Sequence, residues 1–257
     1  MKRLTRATLV ILAAALAGAP PAAAQQKVTV AAAANISAVA PSLGAAFARK
    51  YPGYRAEFTF GASGALVTQV LNGAPFEVFL SADMAFAQKL VDAGAAVGPV
   101  KVYATGTLIL LTTRKLDLSR GLAILADPSV VQFAITNPDV APYGRAAREA
   151  LTRAGLLEKV RTKMIMGQNV TQTLQFTLTG ADAGFVAKSS LFTPEVAPYD
   201  TEGQYWLAVD PSLYSPITQG YVVLTSAASR PVVGAFGEFL SSAEAKAAFA
   251  SFGYSTP

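Results

Sequence analysis

Val28-Thr29-Val30-Ala31-Ala32-Ala33-Ala34-Asn35-Ile36-Ser37 opens the stretch that decides the fold. An apolar run of strand length (28–32) ends in small and polar residues, and 39–50 then reads as a helix, with Pro41 tolerable only in its first turn. The unit recurs. Residues 55–60 read as a strand and 65–71 as a short helix stopped by Asn72-Gly73. Residues 78–81 form a third strand, and 84–93 a helix ended by Gly94. This strand–helix alternation predicts an α/β fold with a mostly parallel sheet covered by helices on both faces.

Outward from that stretch the pattern restarts. Strands are expected at 107–112, 132–135, 162–166 and 183–186, with helices at 144–154 and 171–178. Late strands fall at 205–209 and 220–225. Closing helices span 231–240 and 243–252, the second with Ser242 as its N-cap and Gly253 after its end. Two successive α/β units suggest two lobes. The closing helices have too little sheet of their own and are expected to return to the first lobe. Lobe one is thus 25–106 plus 221–257 and lobe two is 107–220, with strands near 107–112 and 220–225 as a two-strand hinge suited to capture by closure.

Residues 1–24 read as a signal peptide rather than part of the fold. Lys2, Arg3 and Arg6 precede an apolar core at 9–17, and Ala22-Ala23-Ala24 offers a cleavage site before Gln25. Cleavage leaves 18 basic against 16 acidic residues, so the mature chain is nearly balanced and no Lys/Arg cluster marks a nucleic-acid binder. Zero cysteines exclude disulfides and thiolate metal sites. Zero histidines remove the commonest general base and a common metal ligand. An enzyme is therefore not expected. Ser63 lies in Gly61-Ala62-Ser63-Gly64-Ala65, where Ala65 breaks the nucleophile-elbow pattern, and Lys188-Ser189 is a poor pair because neighbours on a helix do not face each other. Asp83, Asp127 and Asp139 stand apart without calcium-loop spacing. Tyr199, Tyr205 and Tyr214 lack the adjacent pair a ferric site would want.

Four segments share a strand end, a small or polar loop and a helix start: those of Asn35, Ser63, Tyr143 and Asn169-Val170. Unpaired N–H groups and the helix dipole make such ends anion sites, and ligands of open α/β sheets lie beyond the strands' carboxyl ends. Each also has a plainer reading: Asn35, Ser63 and Asn169 as simple caps, Tyr143 as a surface aromatic.

Together these segments resemble the periplasmic molybdate-binding proteins of the ModA type. The resemblance spans the mature chain. It is carried by 28–35, by Phe60-Gly61-Ala62-Ser63-Gly64-Ala65-Leu66 and most specifically by Asn72-Gly73-Ala74-Pro75-Phe76-Glu77-Val78-Phe79-Leu80-Ser81-Ala82-Asp83, close to "GAP-DVFISAD". Asn137-Pro138-Asp139-Val140-Ala141-Pro142-Tyr143-Gly144 and Phe249-Ala250-Ser251-Phe252-Gly253-Tyr254 extend it. The resemblance implies a type II periplasmic binding protein-like fold. It implies a monomer without cofactor that captures a molybdate or tungstate oxyanion in the periplasm for the membrane permease of an ABC importer. Asn35 and Ser63 would serve from lobe one, with Tyr143 and Val170 from lobe two, chiefly through backbone N–H groups. Sulfate, thiosulfate and phosphate are the alternative guests, and a serine-dependent hydrolase the rival class. The chain departs from the family where a second-lobe tyrosine is expected: Gly184-Phe185-Val186 is followed by Ala187 and Lys188.

Overall fold

The computed structural model describes residues 25–257; the signal-peptide reading of 1–24 lies outside the described residues. Among the described residues no helix is long and apolar enough to cross a membrane.

The chain builds two five-stranded sheets. The first begins with β1 (Gln26–Ala33), α1 (Ala40–Lys50), β2 (Tyr54–Gly61), α2 (Ser63–Leu71), β3 (Val78–Leu80) and α3 (Met84–Asp92). The alternation in β1 explains why helices cover both faces. Val28, Val30 and Ala32 point into one apolar cluster, with Phe47, Phe236 and Phe239, while Ala31 points into another, with Leu66, Phe79 and Phe86. Pro41 falls in the first turn of α1, where a missing N–H costs nothing.

A long strand, β4 (Ala96–Gly106), follows; it was not foreseen from the sequence. Gly98 and Pro99 interrupt its pattern, and much of it is exposed. It lies at the sheet edge, where Pro is tolerated because one side needs no ladder partner.

The second sheet contains β5 (Leu108–Leu111), β6 (Phe133–Thr136), α4 (Pro142–Arg153), α5 (Leu157–Val160), β7 (Met164–Gly167), α6 (Val170–Thr179), β8 (Ala183–Ala187) and β9 (Trp206–Ala208). The chain then returns as β10 (Ile217–Leu224), α7 (Pro231–Leu240) and α8 (Ala243–Ala250). The sheet orders are β2-β1-β3-β10-β4 and β7-β6-β8-β5-β9. In each, three parallel strands come first, and the antiparallel pairings follow: β10 with β3 and β4, β5 with β8 and β9.

The crossovers need one correction. The chain passes between sheets at Thr107 and again between β9 and β10. β10 starts at Ile217, which pairs with Gly106, so residues 217–220 belong to the first sheet's ladder rather than to the 107–220 unit expected from sequence. Gly220 lies inside the strand, beside a register shift. α7 and α8 pack with α1 and β1 in the first sheet's core.

Candidate functional site

The carboxyl ends of β1, β2, β6 and β7 face one another across a cavity of about 200 Å³ lined by Asn35, Ser63, Tyr143 and Val170, with Ala82 and Asn169 beside them. The structure therefore brings together all four residues singled out from sequence. None exposes more than 6% of its surface.

Asn35 lies in a short 3-10 turn, Ala34–Ile36, directly after β1, and caps no helix. Its Nδ2 donates to Gln219 Oε1 (2.9 Å) and to the Tyr254 hydroxyl (3.0 Å). Its Oδ1 is buried without a partner. Its backbone carbonyl accepts from Ser189 Oγ and the Tyr254 hydroxyl, each at 2.7 Å.

Ser63 is the first residue of α2 rather than its cap; Ala62 holds the extended cap position and offers no side-chain acceptor. Ser63 Oγ accepts from the Ala82 amide at 3.0 Å, which fixes the hydroxyl and leaves its proton without an acceptor among the described hydrogen bonds.

Tyr143 follows Pro142 at the start of α4, again with an uncapped helix end. It is not a surface aromatic. Its hydroxyl reaches the base of the cleft and accepts from Gln219 Nε2 at 3.3 Å. Gly106 makes room for it, since a Cβ there would overlap that hydroxyl. Gly144 serves the same end one residue on: a Cβ would overlap the Thr136 carbonyl, so only glycine lets α4 start so close to β6.

Val170 opens α6. Asn169 is a cap, as its plainer reading held: its side chain accepts from the Gln172 amide at 2.9 Å. That leaves the Val170 and Thr171 amides without acceptors among the described bonds, as are those of Asn35, Ser63 and Tyr143. Unpaired amides at successive helix starts supply partial positive charge without any ionisable group.

The two sides of the cleft already touch. The Gly64 amide donates to the Val140 carbonyl at 2.9 Å. Arg145 of α4 forms an ion pair with Asp83, which also caps α3 by accepting from the Phe86 amide at 2.8 Å. Asp127 and Asp139 pair with Arg120 and Arg148 respectively. Among the described residues no group of three or more His, Cys, Asp or Glu side chains could hold a metal ion. Tyr214 is buried in the second core, where its hydroxyl accepts from the Leu108 amide.

Lys188 is absent from the cavity lining. Its ammonium sits over the Trp206 ring, 5.4 Å from the centroid, and its stem lies where Gly253 leaves space. Ser189 is occupied in holding the Asn35 carbonyl. Burial pushes the phenols of Tyr103, Tyr143 and Tyr254 up, keeping them neutral donors and acceptors.

Gln219, Tyr103 and Arg145 were not foreseen. The only sequence trace of Gln219 is that, with Thr218, it interrupts the mostly apolar run 217–224, a signal that names no partner.

The family model for bacterial extracellular solute-binding proteins matches residues 28–255. The chain belongs to that family. Among relatives of this solute-binding protein, the molybdate-binding protein ModA of Rhodobacter capsulatus is 37% identical over 87% of this chain and 86% of its own length. That of Azotobacter vinelandii is 35% identical over 86% and 87%. The solved Azotobacter vinelandii periplasmic molybdate-binding protein superposes with a TM-score of 0.82 at 30% identity, covering 90% of this chain and 99% of that one. The expected type II periplasmic binding fold is thus the observed one, and its relatives are binding proteins rather than enzymes.

Proposed function

We propose that this solute-binding protein captures molybdate, or the near-isosteric tungstate, in the periplasm and delivers it to the membrane permease of an ABC importer. The observation that carries the reading is one small cavity on which helix starts from both sheets converge, with Asn35 and Ser63 from one side, Tyr143 and Val170 from the other, and no charged side chain in its lining. Such a site suits a dianion whose hydration shell is replaced by neutral donors. Hydrogen bonds to a charged acceptor contribute roughly 1.5–3 kcal/mol each. Several of them, less desolvation and closure, reach about −8 kcal/mol, the micromolar range.

The two sheets act as two lobes that close on the guest, with the crossovers at Thr107 and before Ile217 as the hinge. The Gly64–Val140 hydrogen bond and the Asp83–Arg145 ion pair form on closure. The protein acts as a monomer and without a cofactor, a reading that the nearly balanced charge of the mature chain suits.

Calorimetry of the mature protein against molybdate, tungstate, sulfate, thiosulfate and phosphate tests this. Micromolar or tighter binding of the first two with little heat from the rest is expected. Preference for sulfate or phosphate would reassign the guest, and no oxyanion binding at all would end the proposal.

A further inference from the structure

Gln219 lies in β10 with none of its surface exposed, where the β10–β4 ladder shifts register between Gln219 and Gly220. A shift of this kind re-aims a side chain. Here it delivers one carboxamide to groups from three parts of the fold. Oε1 accepts from Asn35 Nδ2 at 2.9 Å and lies 2.7 Å from the Tyr103 hydroxyl of β4, while Nε2 donates to the Tyr143 hydroxyl of α4 at 3.3 Å. Gly106 leaves the space for this meeting, because a Cβ there would overlap both the Tyr143 hydroxyl and Gln219 Nε2. Asn35 and Tyr143 line the cavity; Gln219 stands behind them.

The Asn35 carboxamide is bound at one end only. Nδ2 is taken by Gln219 and Tyr254, and the buried Oδ1 has no partner. A bare carbonyl oxygen repels an anion, whereas a bare N–H₂ attracts one. The two carboxamides are linked. If Gln219 turns over so that Nε2 meets Asn35, then Asn35 must turn as well and present Oδ1, because two N–H₂ groups cannot pair. Tyr143 then donates to Oε1 instead of accepting, and Asn35 Nδ2 becomes the free end. Tyr254, which accepted from Asn35 Nδ2, must then donate to Oδ1 and release the Asn35 carbonyl, which keeps Ser189 Oγ as its donor. The two ends of a carboxamide are nearly the same size, so the turnover rotates hydroxyl protons rather than repacking side chains.

We propose that Gln219 is the positioning residue of the anion site: it sets which end of the Asn35 carboxamide is offered to the guest, and Tyr143, arriving from the second sheet, sets Gln219. The proposal rests on the oxyanion reading and deepens it. An anion selects the turned-over pair, in which the Tyr143 hydroxyl donates to Gln219 instead of accepting from it, so occupancy of the site is transmitted to the contact between the sheets.

The test is a double-mutant cycle read by molybdate calorimetry on wild type, Gln219→Leu, Asn35→Ala and the double variant. Gln219→Leu should weaken binding about tenfold or more in the wild-type background and less than about twofold when Asn35 is already alanine. Equal losses in both backgrounds would overturn the proposal. A wild-type protein that takes up no molybdate, tungstate or sulfate is a different result and removes the oxyanion reading itself. Should Gln219→Leu fail to fold, nuclear Overhauser contacts in the molybdate-loaded wild type decide the matter. The Gln219 Nε2 protons should show stronger contacts to the Tyr103 ring than to the Tyr143 ring, and the reverse order overturns the proposal.

Discussion

The two sides of the cleft are built on one plan and equipped differently. In each sheet the first two parallel strands, β1 and β2 or β6 and β7, end at the cavity and lead into helical turns. On the first side the polar groups are side chains: the Asn35 carboxamide and the Ser63 hydroxyl, each fixed by a partner behind it. On the second side Val170 has no polar side-chain atom, and the Tyr143 hydroxyl is turned away to Gln219. What remains there is main chain. One side is therefore open to substitution, whereas the other is protected by the fact that every residue type but proline carries an N–H.

The largest expected effect lies on the side-chain side. Ser63→Leu fills a cavity of only about 200 Å³ and removes the hydroxyl. Molybdate affinity should fall at least about a hundredfold, or roughly 2.8 kcal/mol. The melting temperature, followed by circular dichroism, should change little, because the lost bond to the Ala82 amide is one hydrogen bond. Undiminished affinity would remove Ser63 from the site.

A smaller effect is expected between the two sides. Arg145→Ala leaves Asp83 without its partner across the cleft. The Arg145 side chain is 38% exposed, so the pair contributes about 1 kcal/mol at most. Release measured by stopped flow should quicken a few-fold with little change in the association rate. A change confined to association would mean that the pair steers the anion rather than holding the cleft shut.

Smaller still is the effect on the main-chain side. Tyr143→Phe keeps every backbone donor and removes only the contact to Gln219. A few-fold loss of affinity is expected by calorimetry, corresponding to about 0.5–1 kcal/mol. A loss as large as that of Ser63→Leu would show that the hydroxyl touches the guest and would erase the contrast between the sides.

The smallest effect expected is none. No titratable group except Tyr143 lines the cavity, and burial holds the Tyr143 phenol well above its ordinary value of 10.0. Affinity should be flat between about pH 6 and 8. Stability should fall in alkali. The phenols of Tyr103, Tyr143 and Tyr254 are all raised in the folded state, so their contribution is complete below the unfolded value of 10.0 and is lost as pH climbs toward the folded ones. Calorimetry at stepped pH checks the first statement, and denaturant melts, with phenolate absorbance as the second signal, check the second.

The order of elements was legible because each rests on local signals. Asn72-Gly73 after α2 and Gly94 after α3 mark ends that any surroundings would produce. Residues 96–106 escaped because Gly98-Pro99 erase strand periodicity, and only an edge position beside β10, more than a hundred residues away in the chain, makes a strand of them. Asn35, Ser63, Tyr143 and Val170 could be singled out because a strand end followed by a helix start is written in consecutive residues. Their individual roles could not. Spacing alone left Asn35 as a possible cap; the structure gives it no capping role, while Asn169 beside Val170 does cap.

By itself the sequence determined the α/β alternation, the helix starts and the absence of histidine and cysteine, all of which depend on residues close together in the chain or on simple counts. Tertiary structure alone decided that Asn35 meets Gln219, that Tyr143 turns inward over Gly106, and that Asp83 finds Arg145. Those meetings span up to 184 residues. A buried polar side chain takes whatever partner the packing of two sheets brings within about 3 Å, and neither its identity nor its neighbours in sequence encode that distance.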